Sequence, residues 1–297
     1  MRLTQRLSEI QNLPTLPEIV LRVQRLVMSE EGNATLLARI IEQDPSLSAK
    51  ILKVSNSSYY CSTSGKISSI ANAITRVGFN EVGHIALAVN FVRQFSQRSN
   101  VMDYRQFWKH SLTSAYLCSA IGERNHCGRF KPCDRHLLFL AGLLHDIGIL
   151  VYDQFFHTVF EEIIREAVVG ETSFLSAEKT IVPNEMHAQV GGVLLNLWNI
   201  DHSIVNAVRF HHAPENAPES IRLYSHVTFL SEQFLCNREV GSFEGTVSAQ
   251  SDELLDTLNI TVDIISDLYE NAQSEVAHSD LMSAISRDAT STRLRSI

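Results

Sequence analysis

The sequence predicts an all-α protein, in which an N-terminal helical bundle packs on a second helical domain. Helix start and stop signals follow one another along the chain, whereas strand signals do not. Residues 137–144 form an unbroken apolar run, and a surface helix would interrupt such a run with polar residues at every third or fourth position. The run therefore predicts a helix that is buried on all sides.

The first hundred residues are predicted to form a bundle of short helices. Pro14 and Pro17 precede a segment whose apolar residues share one helical face. Residues 55–66, which are rich in Ser, Asn and Tyr, predict an exposed loop. The predicted caps are Asn33, Asp44 (followed by Pro45) and Ser69 at helix starts, and Gly78 at a helix end.

The rest of the chain predicts longer helices. We expect three parts: the N-terminal bundle over residues 1–100, a helical subdomain over 101–240, and a linker with C-terminal helices over 241–297. The predicted helices are 104–121, the buried helix ending near 145–146, 155–169 closed by Gly170, a helix that starts at 184–185 and runs to 198, 204–211 stopped by Pro214, 223–236, and one or two helices over 252–272 interrupted near 259–261.

Composition and charge exclude several classes of function. The net charge is -8 and no Lys/Arg-rich run occurs, so nucleic acid is not an expected partner. Residues 1–6 lack the apolar core of a signal peptide, and the apolar run before His145 is shorter than the roughly 20 residues that span a bilayer. The five cysteines contain no Cys-x-x-Cys pair. These features predict a reduced, cytoplasmic protein without a membrane partner.

The apolar run ends in His145 and Asp146, and burying these side chains is costly unless they are paired or bind a metal. Imidazole and carboxylate groups are preferred ligands of divalent first-row metals, and one carboxylate can bridge two ions. Either histidine of the 211–212 pair could face outward. The alternative is a hydrogen-bonded cluster that only stabilises the fold. A weaker second candidate for a metal site is the group of His126, Cys127, Cys133 and His136. The predicted metal ligands are His110, His145, Asp146, His187, His211 and His212.

Several stretches resemble the HDOD domain, the HD-related output domain of bacterial signalling proteins. They are Leu13–Pro17, Gln43–Leu47, Ile67–Ile74, Phe107–Ser111, Gly142–Gly148 and His187–Gly192. HDOD domains resemble the HD and HD-GYP families of metal-dependent phosphohydrolases, so the resemblance implies an HD-like second domain. It also implies a divalent metal such as Fe, Mn, Zn, Ni or Mg, protein partners in signalling, and a nucleotide or phosphate ligand.

The chain also departs from the catalytic families. HD enzymes generally complete their ligand set with a later aspartate, whereas this chain has no Asp between Asp201 and Asp252. We place the family position near Phe229; His226 and Glu232 each lie one helical turn away and are the candidates to substitute. The lysine that often follows the His-Asp-Ile-Gly motif is an isoleucine at position 149, and no Gly-Tyr-Pro loop follows residue 212.

These departures predict a regulatory output module with a degenerate metal or ligand site. The alternative is a metal-dependent phosphohydrolase or phosphodiesterase acting on nucleotides or cyclic dinucleotides, with Asp146 as the catalytic residue if the domain is active. The missing aspartate favours the module. The sequence names neither the partner nor the input signal.

Overall fold

The computed structural model describes residues 3–9, 17–27, 29, 32–56, 66–95, 101–124, 134–236, 254–256 and 258–278. All regular secondary structure in these residues is helical, which confirms the predicted fold class. The helices are α1 (Leu3–Glu9), α2 (Glu18–Val27), α3 (Ala34–Glu42), α4 (Pro45–Ser55), α5 (Ile70–Val77), α6 (Phe79–Gln94), α7 (Tyr104–Arg124), α8 (Arg135–Leu144), α9 (Ile147–Phe155), α10 (His157–Val169), α11 (Phe174–Ile181), α12 (His187–Leu197), α13 (His202–Phe210), α14 (Arg222–Cys236) and α15 (Val262–His278). Two short 3₁₀ helices, Pro214–Asn216 and Glu219–Ile221, precede α14.

The chain divides into two compact units. One unit contains α2 to α6, and the other contains α1 together with α7 to α14 and the part of α15 that ends at Ala272. The α1 helix thus belongs to the same unit as the helices that follow residue 98, although it precedes α2 in sequence.

The unit of α2 to α6 is built from capped amphipathic helices, as the sequence predicts. The side chains of Asn33, Asp44 and Ser69 each accept backbone N–H bonds at the start of a helix. Gly78 separates α5 from α6 and has a φ of +109°, a backbone conformation that glycine adopts at the lowest cost. The predicted loop falls largely outside the described residues.

The other unit is organised around α8. This helix packs against α7, α13 and α14, and from Leu140 to its end every residue is buried. The segment Arg135–Phe155 is apolar and long enough to cross a membrane, but 83% of its most apolar window is buried inside the protein, as expected for a core helix. A cytoplasmic location stays a prediction.

Three helices of this unit, α1, α9 and α11, were not predicted from the sequence. The α9 helix begins at Ile147, directly after the His-Asp pair, and α11 precedes the helix of His187. The predicted interruption before the last helix is confirmed, because Asn259 has a φ of +53° and α15 begins at Val262. The predicted linker over 241–251 and most of the loop over 127–134 lie outside the described residues.

Candidate metal centre

His145 and Asp146 occupy the turn between α8 and α9. His145 is fully buried and Asp146 is 9% exposed. The apolar sequence of α8 places this turn deep in the unit, because the helix is continuously buried from Leu140 to its end, where the two polar residues follow. The sequence prediction of a buried His-Asp pair at the end of an apolar helix agrees with this position.

Two glycines of the same motif allow the helices around the turn to approach closely. A Cβ atom on Gly142 would lie 2.7 Å from the carbonyl oxygen of Ser114 on α7. A Cβ atom on Gly148 would overlap the carbonyl oxygen of His187, the first residue of α12. Glycine at these positions therefore brings the ligand-bearing helices α7 and α12 against the turn.

The first half-site consists of His110, His145, Glu232 and Oδ2 of Asp146. The Nε2 atoms of His110 and His145 lie 3.2 Å apart, and both contact Oε2 of Glu232, at 2.9 and 3.1 Å. Oδ2 of Asp146 lies 3.2 Å from Nε2 of His145 and 3.6 Å from Nε2 of His110. These four side chains converge on one small volume, and all four are buried.

The second half-site consists of His187, His211, His212 and Oδ1 of Asp146. Nε2 of His187 lies 3.1 Å from Nε2 of His211 and 3.1 Å from Nε2 of His212. Oδ1 of Asp146 lies 3.3 Å from Nε2 of His187 and 3.7 Å from Nε2 of His211. Both members of the 211–212 pair thus point inward. The structure brings all six predicted ligands together, three of them in this group.

Asp146 connects the two half-sites, with one carboxylate oxygen directed at each. A carboxylate in this position can bridge two metal ions. Two ligand atoms bound at right angles to one ion, each about 2.1 Å from it, are roughly 3.0 Å apart. Most of the distances between neighbouring ligand atoms are close to this value, so the spacing fits a pair of metal ions.

The hydrogen bonds of the imidazole rings also fit metal ions. Nδ1–H of His145 donates to the carbonyl of Gly142 at 2.7 Å, and Nδ1–H of His211 donates to the carbonyl of Val208 at 2.6 Å. A carbonyl oxygen only accepts, so each neutral ring keeps its proton on Nδ1 and directs an Nε2 lone pair into the site. Facing nitrogen lone pairs repel one another, and a metal ion or a shared proton between them removes that repulsion.

His187 is oriented by a buried carboxylate. Its Nδ1–H donates to Oε2 of Glu178 at 2.8 Å, and its backbone N–H donates to Oε1 of the same residue. Met186 precedes α12 and makes no side-chain capping bond, so Glu178 provides the acceptor that a cap residue would otherwise supply. Such carboxylate partners fix the tautomer and the orientation of metal-ligating histidines.

The electrostatics of the centre show how strongly its groups interact. Burial alone would lower the pKa of His187, but the charges of Glu178 and Asp146 raise it to about 10. Burial and the neighbouring His187 and His145 lower the pKa of His211 to about 3. Burial opposes ionisation of Asp146, yet His145 and then His187 hold its pKa well below the usual range. The carboxylates of Asp146 and Glu178 thus favour a positive charge at His187, whereas protonation of the His211 ring is disfavoured.

Glu232 is the ligand that the sequence analysis did not include in its set. Its Oε2 atom is buried and contacts the Nε2 atoms of both histidines of the first half-site. Its Oε1 atom accepts a bond from Sγ–H of Cys236 at 3.0 Å. Glu232, which the sequence offered with His226 as a substitute for the missing aspartate, thus gives the first half-site a second carboxylate. Glu232 lies at the centre, whereas Phe229, at the expected family position, is a core residue.

The weaker second metal candidate cannot be assessed as a cluster, since residues 126, 127 and 133 lie outside the described residues. His136 is described and lies in the first turn of α8. Among the described residues, the groups with the geometry to hold a metal ion are the two half-sites.

The fold and the ligand arrangement agree with a comparison against known protein families. A family model described as the HDOD domain matches residues 13–214. The chain belongs to the HDOD family. This confirms the resemblance found in the sequence, because the matched region includes all six predicted ligands and all of the motif stretches.

Similar proteins support the same family fold. A protein of Treponema pallidum (strain Nichols), named as uncharacterized, is 26% identical over 234 residues, covering 75% of this chain and 42% of its own length. The structure of a candidate signal transduction protein from Marinobacter aquaeolei has a TM-score of 0.75 at 24% identity and covers 95% of this chain, which spans 62% of that protein. The structure of a candidate phosphohydrolase from Shewanella amazonensis has a TM-score of 0.72 at 20% identity, covering 95% of this chain and 96% of its own.

This chain spans less than half of the Treponema relative and under two thirds of the Marinobacter protein. Identities at this level show that the fold is shared, and they leave the chemistry to be argued from the site.

Proposed function

We propose that this HDOD domain binds two divalent metal ions and hydrolyses a phosphate ester. The observation that carries the proposal is the position of Asp146, whose two oxygens face two separate sets of ligands. Glu232 supplies the second carboxylate of the first set, so this set has four side chains that could bind an ion. The relationship to a candidate phosphohydrolase of the same fold is consistent with this chemistry.

The protein's own residues would hold and orient the ions. His110, His145 and Glu232 would hold one ion, the three histidines of the second half-site would hold the other, and Asp146 would bridge them. When bound, a pair of divalent ions supplies Lewis acidity toward phosphoryl oxygens and lowers the pKa of water. Ile149 stands where catalytic relatives often have a lysine, and it is 2% exposed, so neutralisation of the phosphate would depend on the ions.

A second candidate is a regulatory output module that binds signalling proteins, with the centre as a structural metal site or a pocket for a nucleotide or phosphate. The burial of the centre favours this candidate. Asp146 is 9% exposed, Glu232 6%, and His145 and His211 are fully buried, which leaves little ligand surface open to a substrate. Catalytic ions need an open coordination position, whereas structural ions are enclosed.

Metal analysis combined with a model substrate distinguishes these candidates. The purified protein is analysed for Fe, Mn, Zn, Ni and Mg by mass spectrometry, reloaded with each metal, and assayed with bis-p-nitrophenyl phosphate and p-nitrophenyl phosphate. We expect close to two ions per chain and a metal-dependent turnover that is lost in Asp146→Asn. The matched control is Asp153→Asn, because Asp153 is a buried carboxylate that accepts a bond from Tyr104 instead of facing the centre.

Two ions without turnover of either substrate would contradict the hydrolase and favour the regulatory module. Failure to bind any of the five metals would contradict the metal centre itself and leave a hydrogen-bonded cluster that stabilises the fold.

A further inference from the structure

The N-terminal helix α1 is attached to the loop that precedes the metal ligand His187. The backbone N–H groups of Leu3 and Thr4 donate to the carboxylate of Glu185 at 2.8 and 2.9 Å, and the Thr4 hydroxyl donates to the same carboxylate at 2.7 Å. The first N–H groups of a helix have no partner within the helix. Glu185 therefore holds the start of α1 through three bonds to one charged group.

A residue of α9 also contacts this loop, through the backbone of Glu185. The hydroxyl of Tyr152 donates to the backbone carbonyl of Glu185 at 2.5 Å, and the Tyr152 side chain is fully buried. Leu7 of α1 is also fully buried, and α1 packs against α12. The backbone of Glu185 is thus fixed by α9 while its side chain is fixed by α1.

His187 lies two residues beyond this attachment point. The loop leads directly into this ligand, because α12 begins at His187 itself. The backbone N–H of His187 donates to Glu178 of α11, which holds the ring from a second direction. Gly148 leaves no space between α9 and the His187 carbonyl. A shift of the loop would therefore move the His187 ring relative to Asp146, and metal coordination tolerates displacements of only a few tenths of an ångström.

The ligands of the first half-site come from different elements. His110 lies within α7, His145 follows α8, and Glu232 lies within α14, so none of them adjoins the loop of Glu185. A disturbance of that loop should reach one half-site and spare the other.

We propose that α1 is a control element of the second half-site, and that its attachment to Glu185 sets how firmly His187 retains a metal ion there. The proposal rests on the metal centre of the proposed function and adds a means of regulating it. Any partner or attached segment that draws α1 away from Glu185 would weaken the second ion and leave the first in place.

Point variants of the full chain test the coupling. Glu185→Ala removes the acceptor for all three bonds, whereas Glu185→Gln keeps one carbonyl oxygen for Thr4 and serves as a partial rescue. The matched control is Glu162→Gln, an exposed carboxylate on α10. Amide hydrogen exchange is measured on the metal-free proteins, and the metal content is measured after reloading and dialysis against a chelator.

We expect amides of residues 185–190 to exchange about tenfold faster in Glu185→Ala, because their open state is favoured by the loss of several charge-assisted bonds. The second ion should bind about 10- to 100-fold more weakly, as for loss of other outer-shell support, so the retained metal falls from two ions to one. Glu185→Gln should give intermediate values for both measurements, and Glu162→Gln should match the unmodified protein.

Unchanged exchange in Glu185→Ala would overturn the coupling whether or not metal binds. Loss of both ions together would overturn the selectivity for the second half-site. Faster exchange in a protein that never binds metal would contradict the proposed function, while confirming that α1 positions the His187 loop.

Discussion

The two half-sites share Asp146 but are held in place by different means. Two ligands of the first half-site lie within long packed helices, His110 in α7 and Glu232 in α14, while His145 follows α8. Ligands of the second half-site lie at helix ends, since His187 begins α12 and the 211–212 pair follows α13. Helix packing fixes His110 and Glu232, whereas His187 is oriented by the Nδ1–H bond that it donates to a side chain, the carboxylate of Glu178. The first half-site should therefore be rigid and the second adjustable.

The largest expected effect comes from removing the shared ligand. Asp146→Asn removes a negative charge and one of the two oxygens that face the half-sites. Both ions should bind more weakly by more than about a hundredfold, which exceeds the usual effect of losing an outer-shell partner. Isothermal titration with Mn²⁺ and Zn²⁺ measures both affinities. Retention of one ion at its original affinity would show that Asp146 does not bridge.

Removing one unshared ligand from each half-site tests whether the two metal ions bind independently. Glu232→Ala should release the first ion, and His211→Ala should release the second, each leaving one ion per chain. Metal content after dialysis gives the count, and circular dichroism confirms that each variant is folded. If either variant loses both ions, the centre behaves as one cooperative unit and the contrast between the half-sites fails.

A smaller, one-sided effect is expected from Glu178. Glu178→Gln keeps the size of the side chain but can accept only one of the two bonds from His187. The second ion should bind about 10- to 100-fold more weakly, and the first should be unaffected. Competition with a chromogenic chelator measures the two affinities, with Glu162→Gln as the exposed control. Equal weakening of both ions would show that Glu178 supports the whole unit instead of one ring.

The sequence predicted the first half-site less completely than the second. An apolar run followed by His145 and Asp146 indicates burial and polar chemistry at once, and the histidines were recognisable as a set from their residue type. Glu232 was only one of two candidates beside the family position near Phe229, the other being His226. The sequence could not choose between them, because the face of α14 that meets the centre depends on how that helix is rotated when it packs on α7 and α13.

Glu178 could not be found from the sequence for a related reason. Its role depends on a contact between α11 and the start of α12, across nine residues of chain, and the sequence showed no signal for α11 that we used. Local patterns predict which helices form and which faces are apolar. They do not specify which polar residue on a neighbouring helix receives the free Nδ1–H of a ligand.

The smallest predicted effect concerns Cys236, which lies one helical turn after Glu232. Its thiol donates to Oε1 of Glu232 at 3.0 Å, while Oε2 faces the two histidines of the first half-site. Because a thiol is a weak donor, Cys236→Ala should weaken the first ion by only about three- to fivefold, which corresponds to the loss of one weak hydrogen bond. Cys236→Ser retains a donor and should remain closer to the unmodified protein. The second half-site lacks this contact, so its affinity should be identical in all three proteins. A change there would show that the packing around Cys236, and not the orientation of Glu232, is what the substitution disturbs.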